Sequence, residues 1–223
     1  MKIKFASVAA CALVAGIGQA HAATIDVSVF SVCDNLNAVG VFNVKATEDF
    51  EGFKLSDEYG GYSAYQPDGN AIVSSTVGSF ESAGGTGGGG TVTDPNPNLD
   101  GTKIAIRTGN VYGRSSTTDD INGNPNALQF LDSNDTLGIN WTVNLGGTLF
   151  NTLAFVMSDA TDVGATLGIT AGGVTEYFSN LGTSNQKVVV VSFASLMDNA
   201  TVNFVNNKIN DGLSLDDIAV GVS

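Results

Sequence analysis

Thr201-Val202-Asn203-Phe204-Val205 (TVNFV) decides the fold. Val202 and Phe204 stand two residues apart, with Thr201 and Asn203 in the other phase. Alternation of period two places the apolar pair on one buried face of a strand. Outward from it, short runs rich in Val, Ile, Thr and Phe recur, bounded by Gly, Asn, Asp and Ser. They fall at 24–32, 41–47, 71–77, 103–107, 127–131 and 138–145, then at 149–157, 166–170, 174–178, 187–193 and 213–222. In the run 138–145, Ile139, Trp141 and Val143 share one phase, so the only tryptophan is read as core. No segment keeps a helical period over a useful length, and 193–197 is the best short candidate. The pattern predicts an all-β chain, a β-sandwich (jelly roll) of about 10–12 short antiparallel strands.

Residues 1–22 are set apart from that fold. Lys2 and Lys4 precede a mostly apolar run, and Ala20-His21-Ala22 is a small-x-small cleavage site. This is the pattern of a secretory signal peptide. Residues 23–223 then form a single β-sandwich domain, with a Gly/Pro-rich loop at 82–101, SAGGTGGGGTVTDPNPNLDG. No other stretch is apolar enough for a membrane helix. Aromatic residues are only 8%, few for the girdles of a membrane β-barrel, which stays as the minor alternative. The expected location is therefore secreted, extracellular or at the periplasm and cell surface, without membrane insertion.

Cleavage changes the chemistry left in the chain. The nine Lys and Arg lose Lys2 and Lys4 while all 22 acids remain, so the net charge moves from −13 to −15. Nucleic acid would be repelled and cations attracted. His21, the only histidine, leaves with the leader, as does Cys11. A Ser-His-Asp triad, a Cys-His pair and His-ligated zinc are thereby excluded. Cys33 remains alone beside apolar residues, and is read as a small buried hydrophobe rather than a thiol pairing between chains.

Acidic residues gather at both ends of the domain, in Glu48-Asp49-Phe50-Glu51 and in Leu213-Ser214-Leu215-Asp216-Asp217-Ile218. Leu213 and Leu215 are in one phase, Ile218 and Val220 in the other, and the change falls at Asp216-Asp217. A β-bulge there would reconcile both halves. Adjacent acids on an apolar strand are costly to bury unless a cation partners them. Seven basic residues cannot serve 22 acids, so a hard cation with oxygen ligands is one reading of Asp49, Glu51, Asp216 and Asp217. A solvated strand end is the other. Asp119-Asp120, Asp132–Asp135, Asp159 and Asp162 sit among Asn, Gly and Ser and read as turns.

These residues also carry a resemblance. The opening Asp49-Phe50-Glu51 and the closing apolar-x-apolar-Asp-Asp-Ile resemble the two ends of MAM-type and galactose-binding-like jelly rolls. That implies adjacent terminal strands and a structural calcium near them. GRSSTTDDINGNPNALQFLDSNDTLGINW (113–141), SDATDVGATLGI (158–169) and DGLSLDDIAV (211–220) are similar to secreted Gram-negative bacterial proteins of the PEP-CTERM/VPLPA-CTERM-like group. The sorting tail of that group is absent after Val220, so anchoring by that route is not expected.

Tyr59, Tyr62 and Tyr65 recur at spacing three in DEYGGYSAY, read as a loop; they are either a platform for sugar rings or simple packing. Catalysis has less support. Acids are plentiful, but only Glu48, Glu51, Glu58, Glu81 and Glu176 are glutamates, and no Glu-x-Asp-x-x-Glu strand occurs. Arg107, Tyr112 and Arg114 cluster in RTGNVYGR without the histidine of a polysaccharide lyase, so the arginines are read as neutralising nearby carboxylates. The expected function is a secreted non-catalytic binding module for extracellular carbohydrate or a cell-surface or biofilm matrix, with a structural calcium. The contrasting expectation is a carbohydrate-active hydrolase or lyase on the same scaffold.

Overall fold

Alternation sorts the strands into two antiparallel sheets. The computed structural model describes residues 24–31, 42–59, 62–67, 72–84, 102–111, 113–116, 128–134, 136–160, 164–179, 181, 186–207 and 212–223. The expected leader, Cys33 and positions 85–101 of the expected loop lie outside the described residues. The first sheet holds β1 (Ile25–Ser31), β2 (Asn43–Glu48), β3 (Ser56–Tyr59), β4 (Tyr62–Tyr65) and β7 (Ala105–Thr108). It continues with β10 (Gln129–Asp132), β12 (Phe150–Ser158), β15 (Gln186–Met197) and β17 (Ser214–Val222). The second holds β5 (Val73–Ser75), β6 (Gly78–Ser82), β11 (Gly138–Asn144), β13 (Thr166–Ala171), β14 (Val174–Phe178) and β16 (Asn199–Val205). A separate hairpin joins β8 (Asn110–Val111) to β9 (Arg114–Ser115).

The first sheet runs β1-β15-β12-β17-β10-β7-β4-β3, with β2 also on β17, and the second runs β14-β13-β16-β11-β6-β5. Their inner faces share one core. Val202 and Phe204 are fully buried there, as are Ile139, Trp141 and Val143. Trp141 stacks on Phe80 at 5.5 Å and meets Phe155 of the opposite sheet edge-on at 5.9 Å. Phe155 in turn meets Phe204 at 5.3 Å, so rings tie the sheets across the core. The Trp141 indole N–H donates to the Val77 carbonyl, 3.1 Å, which removes the cost of burying that donor. Each such fully buried ring stabilises the fold by roughly 1.5–3 kcal/mol.

The chain is thus an all-β sandwich, with no helix among the described residues. Each expected run contains a strand, with ends moved by a few residues. β3, β4, β6, β8 and β9 were not expected, because short hairpin strands carry too little alternation to read. The run 71–77 is in fact one strand and the turn that leads into β6. The expected loop also starts later: Ala83 N–H donates to Gly138 O (2.9 Å) and Leu137 N–H to Gly84 O (3.0 Å), extending the pairing past Ser82. The short helical candidate at 193–197 is strand, with Met197 paired to Phe150, because ladder hydrogen bonds outweigh a five-residue propensity.

Candidate functional site

β17 is the strand on which the first sheet turns. One edge pairs with β12 along its length. The other edge changes partner. Ser214 and Leu215 pair with Asp132 and Leu131 of β10, whereas Ile218 to Val222 pair with Glu48 to Asn43 of β2. Asp216 and Asp217 stand at the change. Ala154 pairs with Ala219 and Val156 with Asp216, so β17 has one more residue than β12 in this interval. This is the bulge that the sequence phase demanded. It turns Leu213 and Leu215 to the same core as Ile218 and Val220, all four fully buried. Asp217 takes φ 48°, a left-handed conformation that Asp tolerates better than a branched residue. Asp216 and Asp217 are both buried, and Asp216 Oδ1 accepts the Asp217 N–H at 2.8 Å.

The opening segment meets that point. After β2 the chain turns at Phe50, φ 59°, and the ring enters the core against Phe80 at 5.6 Å. Glu48 Oε1 accepts the Phe50 N–H (2.8 Å), and Asp49 Oδ1 accepts the Glu51 N–H (3.1 Å). Glu51 Oε1 accepts both the Leu128 and Gln129 N–H groups, each at 2.5 Å. The Gln129 side-chain amide donates back to Phe50 O (2.9 Å) and Phe53 O (3.3 Å). The end of β2 is therefore clamped to the start of β10, where both adjoin the bulge. Burial pushes the Glu48 carboxyl above its ordinary range; the nearby Asp49 charge adds to this, and the Phe50 N–H opposes it.

The four expected cation ligands thus have distinct placements. Asp49 and Asp217 follow and precede the paired residues Glu48 and Ile218, at adjoining register positions. Asp216 is one residue further along β17. Glu51 is engaged by the β10 backbone. Among the described residues, no group of three or more His, Cys, Asp or Glu side chains is gathered to hold a metal ion.

A second polar assembly lies on the outer face of the first sheet. Gln186, Ser158, Ser214 and Asp132 are successive register partners across β15, β12, β17 and β10. They form one lateral row, and the β8–β9 hairpin is strapped along it. Gln186 Nε2 donates to Ser115 Oγ (3.2 Å) and Ser116 O (3.0 Å). Ser158 Oγ accepts the Ser115 N–H at 3.0 Å, and Ser214 and Ser158 hydroxyls bond at 2.9 Å. Arg114 Nε then reaches Asp132 Oδ1 at 3.4 Å, and Arg107 Nη1 reaches Asp132 Oδ2 at 3.2 Å. These ion-paired side chains are at most 5% exposed. The strap needs glycine beneath it. A Cβ on Gly212 would lie 2.1 Å from Arg114 Nη1 and 2.6 Å from Asn134 O. At Gly113, φ 101°, it would strike the Asp159 carboxylate at 2.7 Å.

The arginines therefore neutralise a carboxylate, as the sequence suggested. The carboxylate itself corrects the turn reading. Asp132 belongs to β10 and is fully buried; the turn begins after it, with Asp132 Oδ1 accepting the Asn134 N–H at 2.8 Å. A signal did exist, since Gln186, Ser158, Ser214 and Asp132 each end a buried strand, but only register aligns them.

The tyrosines lie on a β-hairpin rather than a loop. Tyr59 and Tyr62 are Cα partners across β3 and β4, and their side chains lie outside the described residues. Tyr65 is turned to the core, its ring 5.4 Å from Phe53. Spacing of three gathers side chains on a helix, whereas a strand repeats every two. No known family model matches this chain, and no curated protein matches it.

Proposed function

We propose that the chain is an exported, non-catalytic binding module for extracellular carbohydrate or surface matrix, with calcium as a structural ion where β2, β10 and β17 meet. The observation that carries the non-catalytic reading is the closure of Arg107 and Arg114 on Asp132. These are the cations that a polysaccharide lyase of this architecture would direct at its substrate, and here they are buried as ion-pair partners that hold the β8–β9 strap. Ion pairs closed off from solvent in this way support a structural role for both arginines rather than contact with a substrate. The acids at the β17 bulge are likewise buried, which suits a structural cation.

The test is a panel of soluble and insoluble polysaccharides incubated with the protein purified from the periplasm or medium. Retention without product release supports the carbohydrate reading. Release of reducing ends or unsaturated products overturns it in favour of a hydrolase or lyase. Absence of retention, with large self-assembled species on sizing, leaves the matrix role and removes the carbohydrate one.

A further inference from the structure

Among the described residues, the outer face of the second sheet is used by neither the core nor the strap. Register aligns it into rows. Thr175, Thr170, Thr201, Thr142, Ser79 and Ser74 are successive partners across β14, β13, β16, β11, β6 and β5. Six hydroxyl residues thus cross the whole sheet in one line, and at the usual strand separation the line spans roughly 24 Å. Thr175, Thr142 and Ser74 are exposed, and Thr170, Thr201 and Ser79 half-buried. The Thr170 and Thr175 hydroxyls bond at 2.9 Å, which orients the row at its edge.

The next row reads Tyr177, Gly168, Asn203, Asn140 and Glu81. Tyr177 is 73% exposed, the most open large hydrophobic side chain described. Its ring lies over β13: a Cβ on Gly168 would meet Tyr177 Cε1 at 3.0 Å and Cδ1 at 3.3 Å. Glycine therefore lets the ring rest on the sheet, in the same row as Asn203 and Asn140. A third, shorter row adds exposed Asn144 and Asn199 on the other side of the threonines.

We propose that this face is the glycan-binding site, and that its ligand is a neutral polysaccharide lying across the strands with one sugar ring over Tyr177. The proposal rests on the carbohydrate reading above and gives it a place. Its chemistry follows from three features. Hydroxyl and carboxamide groups both donate and accept, which matches the mixed donor and acceptor character of sugar hydroxyls. Glu81 is the one charged residue in these rows, in a chain of net charge −13, so electrostatics supplies no attraction for an anionic glycan. The ring of Tyr177 offers an aromatic face to the apolar C–H face of a pyranose. A face built from short side chains on a continuous sheet is also preorganised, so little ordering cost attends binding.

The experiment measures retention of the exported protein on insoluble cellulose, chitin and β-1,3-glucan, and its migration in gels containing dextran, xylan or alginate. Wild type is compared with Tyr177→Ala, Thr142→Glu and, on the opposite sheet edge, Phe30→Ser. At least one neutral glycan should be bound and alginate should not. Retention should persist from about 0.05 to 1 M salt, because no charge pair is screened. Tyr177→Ala and Thr142→Glu should each weaken it by about tenfold or more, with Phe30→Ser unchanged. Melting curves establish that each variant is folded; should Tyr177→Ala not fold, Thr142→Glu carries the test. If wild type binds a neutral glycan and both second-sheet variants bind as well as it does, this site is wrong while the carbohydrate reading stands. Binding restricted to alginate, or lost in salt, also overturns the site. If the folded wild type retains no glycan at all, the carbohydrate reading itself falls.

Discussion

The outer faces of the two sheets have been put to opposite uses. On the first sheet, β17 is buried at both phases from Ser214 to Gly221, and β12 at nearly every position from Phe150 to Ser158. Polar groups there are closed upon one another: Arg107 and Arg114 on Asp132, and Ser158 and Ser214 on the hairpin. On the second sheet, β16 alternates buried and open positions, and β11 does so from Ile139 onward. Their outer phase holds mostly Thr and Asn, half-buried or exposed and not closed into ion pairs. Burial at both phases thus marks a covered face, and strict alternation of burial a free one. Charge is buried where the first sheet is held together, and neutral hydrogen-bonding groups lie on the more open second face.

The comparison is broken most severely at Asp132. Asp132→Asn removes the carboxylate that both buried guanidinium groups share, which costs about 3–5 kcal/mol. For a domain of this size that lowers the melting temperature by on the order of 10 °C. Thr142→Ser, at a matching place on the open face, should stay within about 0.5 kcal/mol of wild type. Thermal melts decide it, and similar losses for both would mean the strap carries no more stability than the solvated face.

Two glycines sharpen the same contrast. Gly212→Ala drives a Cβ into the Arg114 guanidinium and the backbone carbonyl of Asn134, and overpacking of that kind costs about 1–3 kcal/mol. Gly168→Ala crowds the exposed ring of Tyr177, which can swing away, and meets Asn203 Cβ only at ordinary contact distance, 3.7 Å, so its stability cost should be below about 1 kcal/mol. Urea titrations rank the two, and a larger loss for Gly168→Ala would show that the second face is packed rather than open.

The proposed calcium would bear on the first sheet alone. A site with a dissociation constant of about 1 mM, in about 10 mM calcium, stabilises the native state by about 1.4 kcal/mol, a few degrees in melting temperature. Wild type should gain this between EDTA and calcium, and Asp217→Asn and Glu51→Gln should not. In EDTA, Glu51→Gln should already melt lower, by about 1 kcal/mol, because a neutral amide grips the Leu128 and Gln129 N–H groups less strongly. Equal wild-type melts in EDTA and calcium would return Asp49, Asp216 and Asp217 to a calcium-free structural role.

The smallest effect is expected at Glu48. Its carboxyl is pushed up by burial, so the folded state holds the proton more tightly than the unfolded chain. Its contribution is favourable below the ordinary carboxylate value and fades as pH rises through the raised one. Glu48→Gln, always neutral, should therefore match wild type near pH 4 and melt higher at pH 7, by less than about 2 °C. A variant that melts lower at pH 7 would place the carboxylate among the groups that stabilise the first sheet by charge.

Local alternation was enough to show which residues of the main strands face the core. Period-two alternation is local, so Val202 with Phe204 and Ile139 with Trp141 declared their buried phase without reference to any partner strand. The bulge in β17 was legible for the same reason, since a change of phase between Leu215 and Ile218 has no other remedy in a strand. Asp132 and the tyrosines were misplaced because turn composition and a spacing of three are weak signals beside strand pairing. The polar row under the strap and the hydroxyl row on the second sheet were decided only by tertiary structure. Each is assembled from single residues of strands far apart in the chain, and hydrogen-bond register, a property of pairs of strands, sets which of them stand side by side.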